Sequence, residues 1–223
     1  MSIEKKRLYV VATPIGNPRD ITLRALDVLQ QVDAVICEEQ RQGSTLLKKL
    51  GITTPIILLN EHNEAEQASQ IAQRIHRGET MALISDCGTP VFADPGATLI
   101  ARLVELGVPV TPVPGPSSLM AALSILDVSL ERFLYAGFLP REKNERRNAL
   151  KYLRGLRIPI VIMDAPYRLV QVLDDVEQVF GGGRRISLCL DLTLPTEKIL
   201  RGPLHEVRAQ VGERKSEFVL IIH

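Results

Sequence analysis

Five short apolar runs, rich in β-branched residues, punctuate the first half of this chain: 8–12, 34–37, 56–59, 81–84 and 108–113. Between them the apolar residues recur with a helical period. Ile21, Leu26 and Leu29 lie close to one stripe, and Leu46, Leu47 and Leu50 follow Ser44, which is read as a helix cap, with Gly51 as the stop. Residues 64–77 place Ala68, Ile71, Ala72 and Ile75 on one face before Gly78, and residues 97–106 end at Gly107. Strand and helix patterns that alternate in this way argue for parallel βα units, with a sheet covered on both faces.

In an open parallel sheet, ligands bind just beyond the carboxyl ends of the strands. The stretch from Met81 to Gly96 is therefore the first candidate wall of a site. Its apolar run breaks at Ser85 into a loop holding Asp86, Gly88, Pro90, Asp94, Pro95 and Gly96. Two more Gly/Pro loops follow apolar runs, at Thr13-Pro-Ile-Gly-Asn17 and Pro114-Gly-Pro-Ser-Ser118. Each alone is a turn; three at one end of one sheet would converge on a crevice. None matches a dinucleotide fingerprint or a phosphate-binding P-loop.

Val113-Pro-Gly-Pro-Ser-Ser118 is also the best domain boundary, giving an N-terminal α/β domain over 1–113 and a C-terminal α/β domain over 114–223. Beyond it the pattern changes. Ser117 or Ser118 is positioned to cap a helix over 119–126, a charged helix runs from Pro140 to about Leu156, and another spans 167–180. Strands are expected at 133–137, 158–163, 186–190, 198–201 and 218–222, with a short helix starting near Pro203 between the last two. Strands outnumber helices there, so a mixed sheet is expected.

At 223 residues, 45% hydrophobic and with a formal net charge of +1, the chain has the composition of a soluble globular protein. Near-neutrality argues against a general nucleic-acid coat and leaves room for a local basic patch. Cys37, Cys87 and Cys189 are far apart and form no CxxC pair, and the four histidines complete no metal-ligand spacing. Buried thiols in a reducing compartment are the expectation for all three, and no metal is expected. The basic start, Met1 to Arg7, lacks the apolar core of a signal peptide, and no run approaches the ~20 residues needed to span a bilayer. A cytoplasmic protein is expected.

Leu8-Tyr-Val-Val-Ala-Thr-Pro-Ile-Gly-Asn17 with Asp20-Ile-Thr22 resembles the start of the ribosomal RNA small subunit methyltransferase I family. So do Asn60-Glu-His-Asn-Glu64, Ser85-Asp-Cys-Gly-Thr-Pro90 with Asp94-Pro-Gly96, Pro114-Gly-Pro-Ser117 and Gly137-Phe-Leu-Pro140, in the right order from Leu8 to Ile222. That family belongs to the tetrapyrrole methylase superfamily of S-adenosylmethionine (SAM) enzymes. The resemblance implies a two-domain α/β fold, SAM held between the domains, a homodimer, and 2′-O-methylation of a cytidine ribose in small-subunit ribosomal RNA. Carried over by motif, Pro14, Ile15 and Gly16 lie along the cofactor, and Asp86, Gly88 and Thr89 face its methionine and ribose portions. Ser117, Ser118 and Leu119 contact it from the start of the second domain, and Met163 and Leu192 shape the adenine pocket. The residue types suit a ligand with an ammonium, a sulfonium and two ribose hydroxyls.

The departures are Glu38-Glu39-Gln40-Arg41 in place of Glu-Asp-Thr-Arg, Met163-Asp-Ala-Pro-Tyr-Arg168 in place of Tyr-Glu-Ser-Pro-His-Arg, and an end at the final strand without the family's extra C-terminal segment. They fall on the expected acceptor side. Glu39, Arg41, Glu61, His62 and Asp20 are the residues to line it. His62 is the candidate base and Arg41 the candidate phosphate ligand, with Glu39 as a third catalytic candidate. Arg141, Lys143, Arg146, Arg147, Lys151, Arg154 and Arg157 put seven basic residues on one segment, to grip an RNA backbone or to form a solvated helix face. Two further readings stay open: a methylase of the same fold with a small, tetrapyrrole-like acceptor, and a SAM-binding protein without catalysis. Thr193 to Gly202 resembles the precorrin methylases and does not discriminate.

Overall fold

The computed structural model describes residues 3–92 and 94–223; Met1, Ser2 and Ala93, and with them the start of the basic N-terminus and one position of the 81–96 stretch, lie outside the described residues. The chain divides into two units, Met1–Ser117 and Ser118–His223.

In the first unit, β1 (Leu8–Val11), α1 (Leu23–Gln31), β2 (Ala34–Cys37), α2 (Gln40–Lys49), β3 (Ile56–Leu58), α3 (Glu64–His76), β4 (Met81–Ile84), α4 (Ala97–Glu105) and β5 (Val110–Val113) alternate as the periodicity predicts. The five strands form one parallel sheet in the order β3-β2-β4-β1-β5, with Val11 in register with both Ile84 and Val113. Strand side chains alternate between faces. Val35, Cys37 and Ile84 pack with Ala25, Val28, Leu29 and Leu47 of α1 and α2. Ala34, Ile36 and Leu83 pack with Ala68, Ile71, Leu99 and Leu103 of α3 and α4 on the other side. Both faces are thus dry, which explains why the strands read as continuous apolar runs.

The strand order decides where a ligand can enter. From β1 the chain passes over one face to β2; from β4 it passes over the other face to β5. β1 and β4 are neighbours whose following helices leave to opposite faces, and such a switch opens a crevice at their carboxyl ends.

Two local expectations change. Thr22, not Ile21, begins α1: its Oγ1 accepts the Ala25 N–H at 3.1 Å, so Ile21 precedes the helix and the buried stripe is Ala25, Val28 and Leu29. Ser44 lies inside α2 and donates to the Arg41 carbonyl at 3.2 Å, while Glu39 occupies the cap position.

The second unit holds α5 (Ser118–Ser124), β6 (Leu134–Tyr135), α6 (Lys143–Gly155), β7 (Ile160–Asp164), α7 (Leu169–Phe180), β8 (Arg185–Leu190), β9 (Lys198–Pro203), α8 (Leu204–Val211) and β10 (Phe218–Ile222). Its sheet is mixed, in the order β6-β7-β10-β8-β9, with only the β6–β7 pair parallel. Leu150 and Leu153 of α6, Leu169 to Val179 of α7, and Leu204, Val207 and Val211 of α8 share one core with Ile160, Ile162, Leu188 and Leu220. The charged α6 is fastened to α7. Buried Arg146 and half-buried Arg147 both bind Asp175, each at 2.6 Å, and Arg154 Nη1 donates to the Val179 carbonyl at 2.8 Å. Three of the seven basic residues on this segment therefore serve packing between helices. No described helix is long and apolar enough to cross a membrane.

Candidate active site

The loops after β1 and β4 are joined through Thr13, which is fully buried. Its N–H donates to the Gly88 carbonyl at 2.8 Å and its Oγ1 to the Ser85 carbonyl at 3.1 Å. Gly88 has φ +83, and a Cβ there would lie 3.2 Å from Ile15 Cγ2 and 3.7 Å from the Pro116 carbonyl. Glycine is thus favoured by its left-handed conformation, and a side chain there would also press on Ile15. Thr89 Oγ1 donates to the same Pro116 carbonyl at 3.2 Å, which ties the third Gly/Pro loop to the second. The three loops therefore meet at one end of the sheet.

Between the β1 and β4 loops lies a pocket of about 210 Å³, lined by Pro14, Ile15, Gly16, Ser85, Asp86 and Cys87 and closed by residues of α2 that include Gly43 and Lys49. That is smaller than the roughly 300–1,000 Å³ of a drug-sized ligand's pocket, so it suits part of a ligand. Cys87 is exposed, not buried as expected, because it belongs to this loop and not to a strand; Cys37 and Cys189 are buried.

Carboxylates dominate the electrostatics. The Asp86 carboxylate accepts the Glu39 N–H, yet its pKa is raised, first by burial and further by the charges of Glu39 and Asp94. Asp94, hydrogen-bonded to Ser85, is raised by burial. Glu38 is raised by burial and by Asp94, Asp86, Glu39 and Glu61. Ends of β2, β3 and β4 thus hold acids that oppose one another's ionisation. Such a site gains from a cation, which relieves burial and repulsion together. Asp94 belongs to the stretch that the sequence marks as the first candidate wall and Glu38 to one of the departures from the family motif; that their two loops are adjacent depends on β4 lying next to β2, which local spacing does not encode.

His62 is placed differently. It sits beyond the edge strand β3 with its side chain 86% exposed and its Nε2 3.6 Å from Glu61 Oε1. Asn60 Oδ1 accepts the His62 and Asn63 N–H groups at 3.1 and 3.2 Å, which holds the loop so that the imidazole faces outward. Glu64 of the same motif has a structural task. Its Oε1 accepts the N–H groups of Gly96 and Thr98 at 2.9 and 3.1 Å, capping α4. Glu39 joins Asp86 through its backbone, and Arg41 is exposed in the first turn of α2. Asp20 is exposed in the short 3-10 turn after Asn17.

In the second unit, Ser118 Oγ lies 4.0 Å from Met163 Sδ, with Leu119 next along α5. β7 and β8 flank β10 and run the same way, so Met163 and Leu192 share one edge of the sheet. Leu192 is flanked by Asp191 at φ 49 and Thr193 at φ 67. Left-handed conformations are strained for such residues and persist where the surroundings hold them. Here Arg214 and Thr196 bind Asp191 Oδ2 at 2.5 and 3.0 Å, and the Thr193 N–H donates to Glu197 at 2.7 Å. The divergent run 163–168 is only partly available to a ligand. Asp164 and Arg168 form a buried ion pair at 3.0 Å, and Arg168 also donates to the Leu139 and Pro140 carbonyls at 2.9 and 2.7 Å. Tyr167 of the same run is 60% exposed. No group of His, Cys, Asp and Glu among the described residues could hold a metal ion.

A sequence profile of tetrapyrrole (corrin/porphyrin) methylases matches residues 7–208. A ribosomal RNA small subunit methyltransferase I of Escherichia coli O157:H7 is 40% identical over 97% of this chain and 77% of its own length. The protein of that name from Halalkalibacterium halodurans is 37% identical over 98% and 76%. Among solved structures, the uroporphyrin-III C-methyl transferase of Thermus thermophilus in complex with S-adenosyl homocysteine superposes with a TM-score of 0.68 at 19% identity, covering 97% of this chain and 96% of that one. A cobalt precorrin-4 methyltransferase gives 0.66 at 20% identity, covering 97% and 94%. At that identity the structures show the fold alone, whereas the sequence relatives share most of their length with this chain. It therefore belongs to the tetrapyrrole methylase family and, within it, to the ribosomal RNA small subunit methyltransferase I group.

Proposed function

We propose that this chain is a SAM-dependent methyltransferase that 2′-O-methylates a cytidine ribose of small-subunit ribosomal RNA. The observation that carries the donor half is the crevice at the carboxyl ends of β1 and β4, where Asp86 lines the pocket and its carboxylate lies near those of Glu39 and Asp94, with Glu38 close by at the end of β2. SAM supplies a methyl on a positively charged sulfur, with an ammonium close by, and both charges suit that crevice. The Gly/Pro loops offer backbone groups at close approach around Pro14, Ile15, Gly16, Gly88 and Thr89. Ser117, Ser118, Leu119, Met163 and Leu192 remain cofactor residues in this proposal. The strained turn that holds Leu192 supports it, because strain of this kind collects at ligand sites.

Support for the acceptor half comes from relatives at 37–40% identity that carry the ribosomal RNA methyltransferase name. Transfer needs the ribose oxygen in line behind the methyl carbon, with the carbon–sulfur bond opposite it and a group to take the hydroxyl proton. Glu39, joined to Asp86 through its backbone, is proposed to position the acceptor; exposed His62 is proposed as the proton acceptor, and Arg41 as a phosphate ligand. The same reading carries a homodimer in the cytoplasm, which light scattering on the purified chain would check for its oligomeric part.

The test is transfer of labelled methyl from SAM to small ribosomal subunits that lack the modification, with free tetrapyrroles in a parallel reaction. Label recovered as a 2′-O-methylated cytidine is the expected result. Label in the tetrapyrrole, or in neither while SAM still binds, would overturn the acceptor and leave the donor site standing.

A further inference from the structure

We propose that an open groove at the carboxyl-terminal ends of α6 and α7 anchors the RNA backbone; this rests on the RNA reading above. The groove has a volume of about 750 Å³ and is lined by Lys151, Arg154, Gly155, Arg157, Phe180 and Arg184. Four of the six are cations and none is a carboxylate.

The bland explanation is that basic residues collect where helices end, because the last carbonyls attract them. It accounts for Arg154, whose Nη1 satisfies the Val179 carbonyl of α7 at 2.8 Å. It does not account for the other three. Elsewhere in this unit helical arginines are matched: Arg146 and Arg147 with Asp175, and Arg208 with Asp174. Among the described residues Lys151, Arg157 and Arg184 form no ion pair, and all three are exposed. Arg184 lies over the Phe180 ring, 6.0 Å from its centroid, which steadies the guanidinium without neutralising it.

Arg157 adds an independent observation. It follows α6 at φ 53, the left-handed position where helices commonly end in glycine. An arginine there is strained where glycine would be relaxed, so its presence is better explained by its charge than by folding. A polyanion is the matching ligand. A groove open to solvent, with cations contributed from two chain segments and an aromatic face beneath one of them, suits successive phosphates of a strand. RNA needs such a surface on this chain, because the crevice loops of the first unit present carboxylates that repel phosphate.

The experiment uses the full chain and a fragment of small-subunit ribosomal RNA, with binding followed by fluorescence anisotropy from 50 to 300 mM salt. The variants are Arg157→Gly and the triple Lys151→Ala, Arg157→Gly, Arg184→Ala. Each lost phosphate contact lowers the slope of log affinity against log salt by roughly 0.7–0.9. The triple variant is expected to lose about 10- to 100-fold in affinity and about 2 from that slope, with SAM affinity and Tm kept and the KM for RNA raised more than kcat is lowered. Arg157→Gly alone should weaken binding about threefold while Tm holds or rises, which no loss of folding would produce. Wild-type affinity and slope in the triple variant, with methylation of RNA intact, would overturn the groove and leave the proposed function standing. A wild-type chain that neither binds nor methylates RNA would overturn both.

Discussion

A methyl group added at Gly43 would lie 2.6 Å from Cys37 Sγ and 3.1 Å from its Cβ. Helix propensity alone favours alanine at that position by roughly 1 kcal/mol. Overpacking a closed contact costs roughly 1–3 kcal/mol, and Cys37 is fully buried at the end of a central strand. Gly43→Ala is therefore expected to destabilise the fold by about 1–2 kcal/mol in denaturant unfolding, and adding Cys37→Ala should return most of it. Equal loss in the single and double variants would show that the contact is not the cause. The same burial, with the charges of Asp86 and Glu39 behind it, pushes the Cys37 thiol up to about 11, so it is inert at neutral pH. None of this was legible in the sequence: Gly43 reads as a weak residue inside a helix, and its partner is named only by the way α2 folds back on β2. Cys87 shows the converse, since its type suggested burial and its loop exposes it.

Elements were legible to the extent that periodicity alone sets them. Ala34–Cys37, Met81–Ile84 and Phe218–Ile222 stand at the boundaries expected, because each run is bounded by turn residues and buried on both faces. Interactions between elements were not. Glu64 was legible as part of a motif but not as the cap of α4, thirty-two positions away. Glu64→Ala should cost about 1 kcal/mol, with extra amide exchange confined to the first turn of α4. Exchange unchanged there would remove the cap. The basic run on α6 was open to two readings, and the structure divides it between Asp175 and solvent. Asp175→Ala leaves buried Arg146 unpaired, and a loss of about 3–5 kcal/mol is expected. Burial alone would raise the Asp175 carboxyl, but hydrogen bonds from Arg147 and Arg146 outweigh it and hold the pKa low. The stability this ion pair adds is therefore present above the ordinary aspartate range near 4 and lost as pH falls through the lowered value. Wild type should accordingly lose more stability than Asp175→Ala between about pH 5 and 2, and parallel curves would contradict the assignment.

The alternation of strand and helix across the first half was enough to expect a parallel sheet, and the Gly/Pro loops were enough to expect their convergence. The order β3-β2-β4-β1-β5 was not readable, since strand order is decided by which helix crosses which face. That order makes the β1–β4 boundary the crevice and gathers Glu38, Glu39, Asp86 and Asp94 from separate loops. It also leaves His62 beyond the sheet's edge, where the motif alone gave no hint of its exposure. The gathered acids have a consequence for the whole molecule. Carboxyls raised by burial and mutual repulsion stabilise the unliganded fold as pH falls from neutrality toward their unfolded values near 4, while a cationic ligand loses its partners over the same range.

Calorimetric titration of SAM into wild-type and Asp86→Asn chains, from pH 8 down to pH 5.5, tests the cation crevice most directly. Wild-type affinity should fall as the pH is lowered. Asp86→Asn should bind about 10- to 100-fold more weakly at pH 7.5, the scale of roughly 1.5–3 kcal/mol for a hydrogen bond to a charged group, with Tm no lower than wild type and a flatter pH dependence. Equal affinity in the two chains, with the same pH profile, would contradict a donor site built on the β1–β4 crevice.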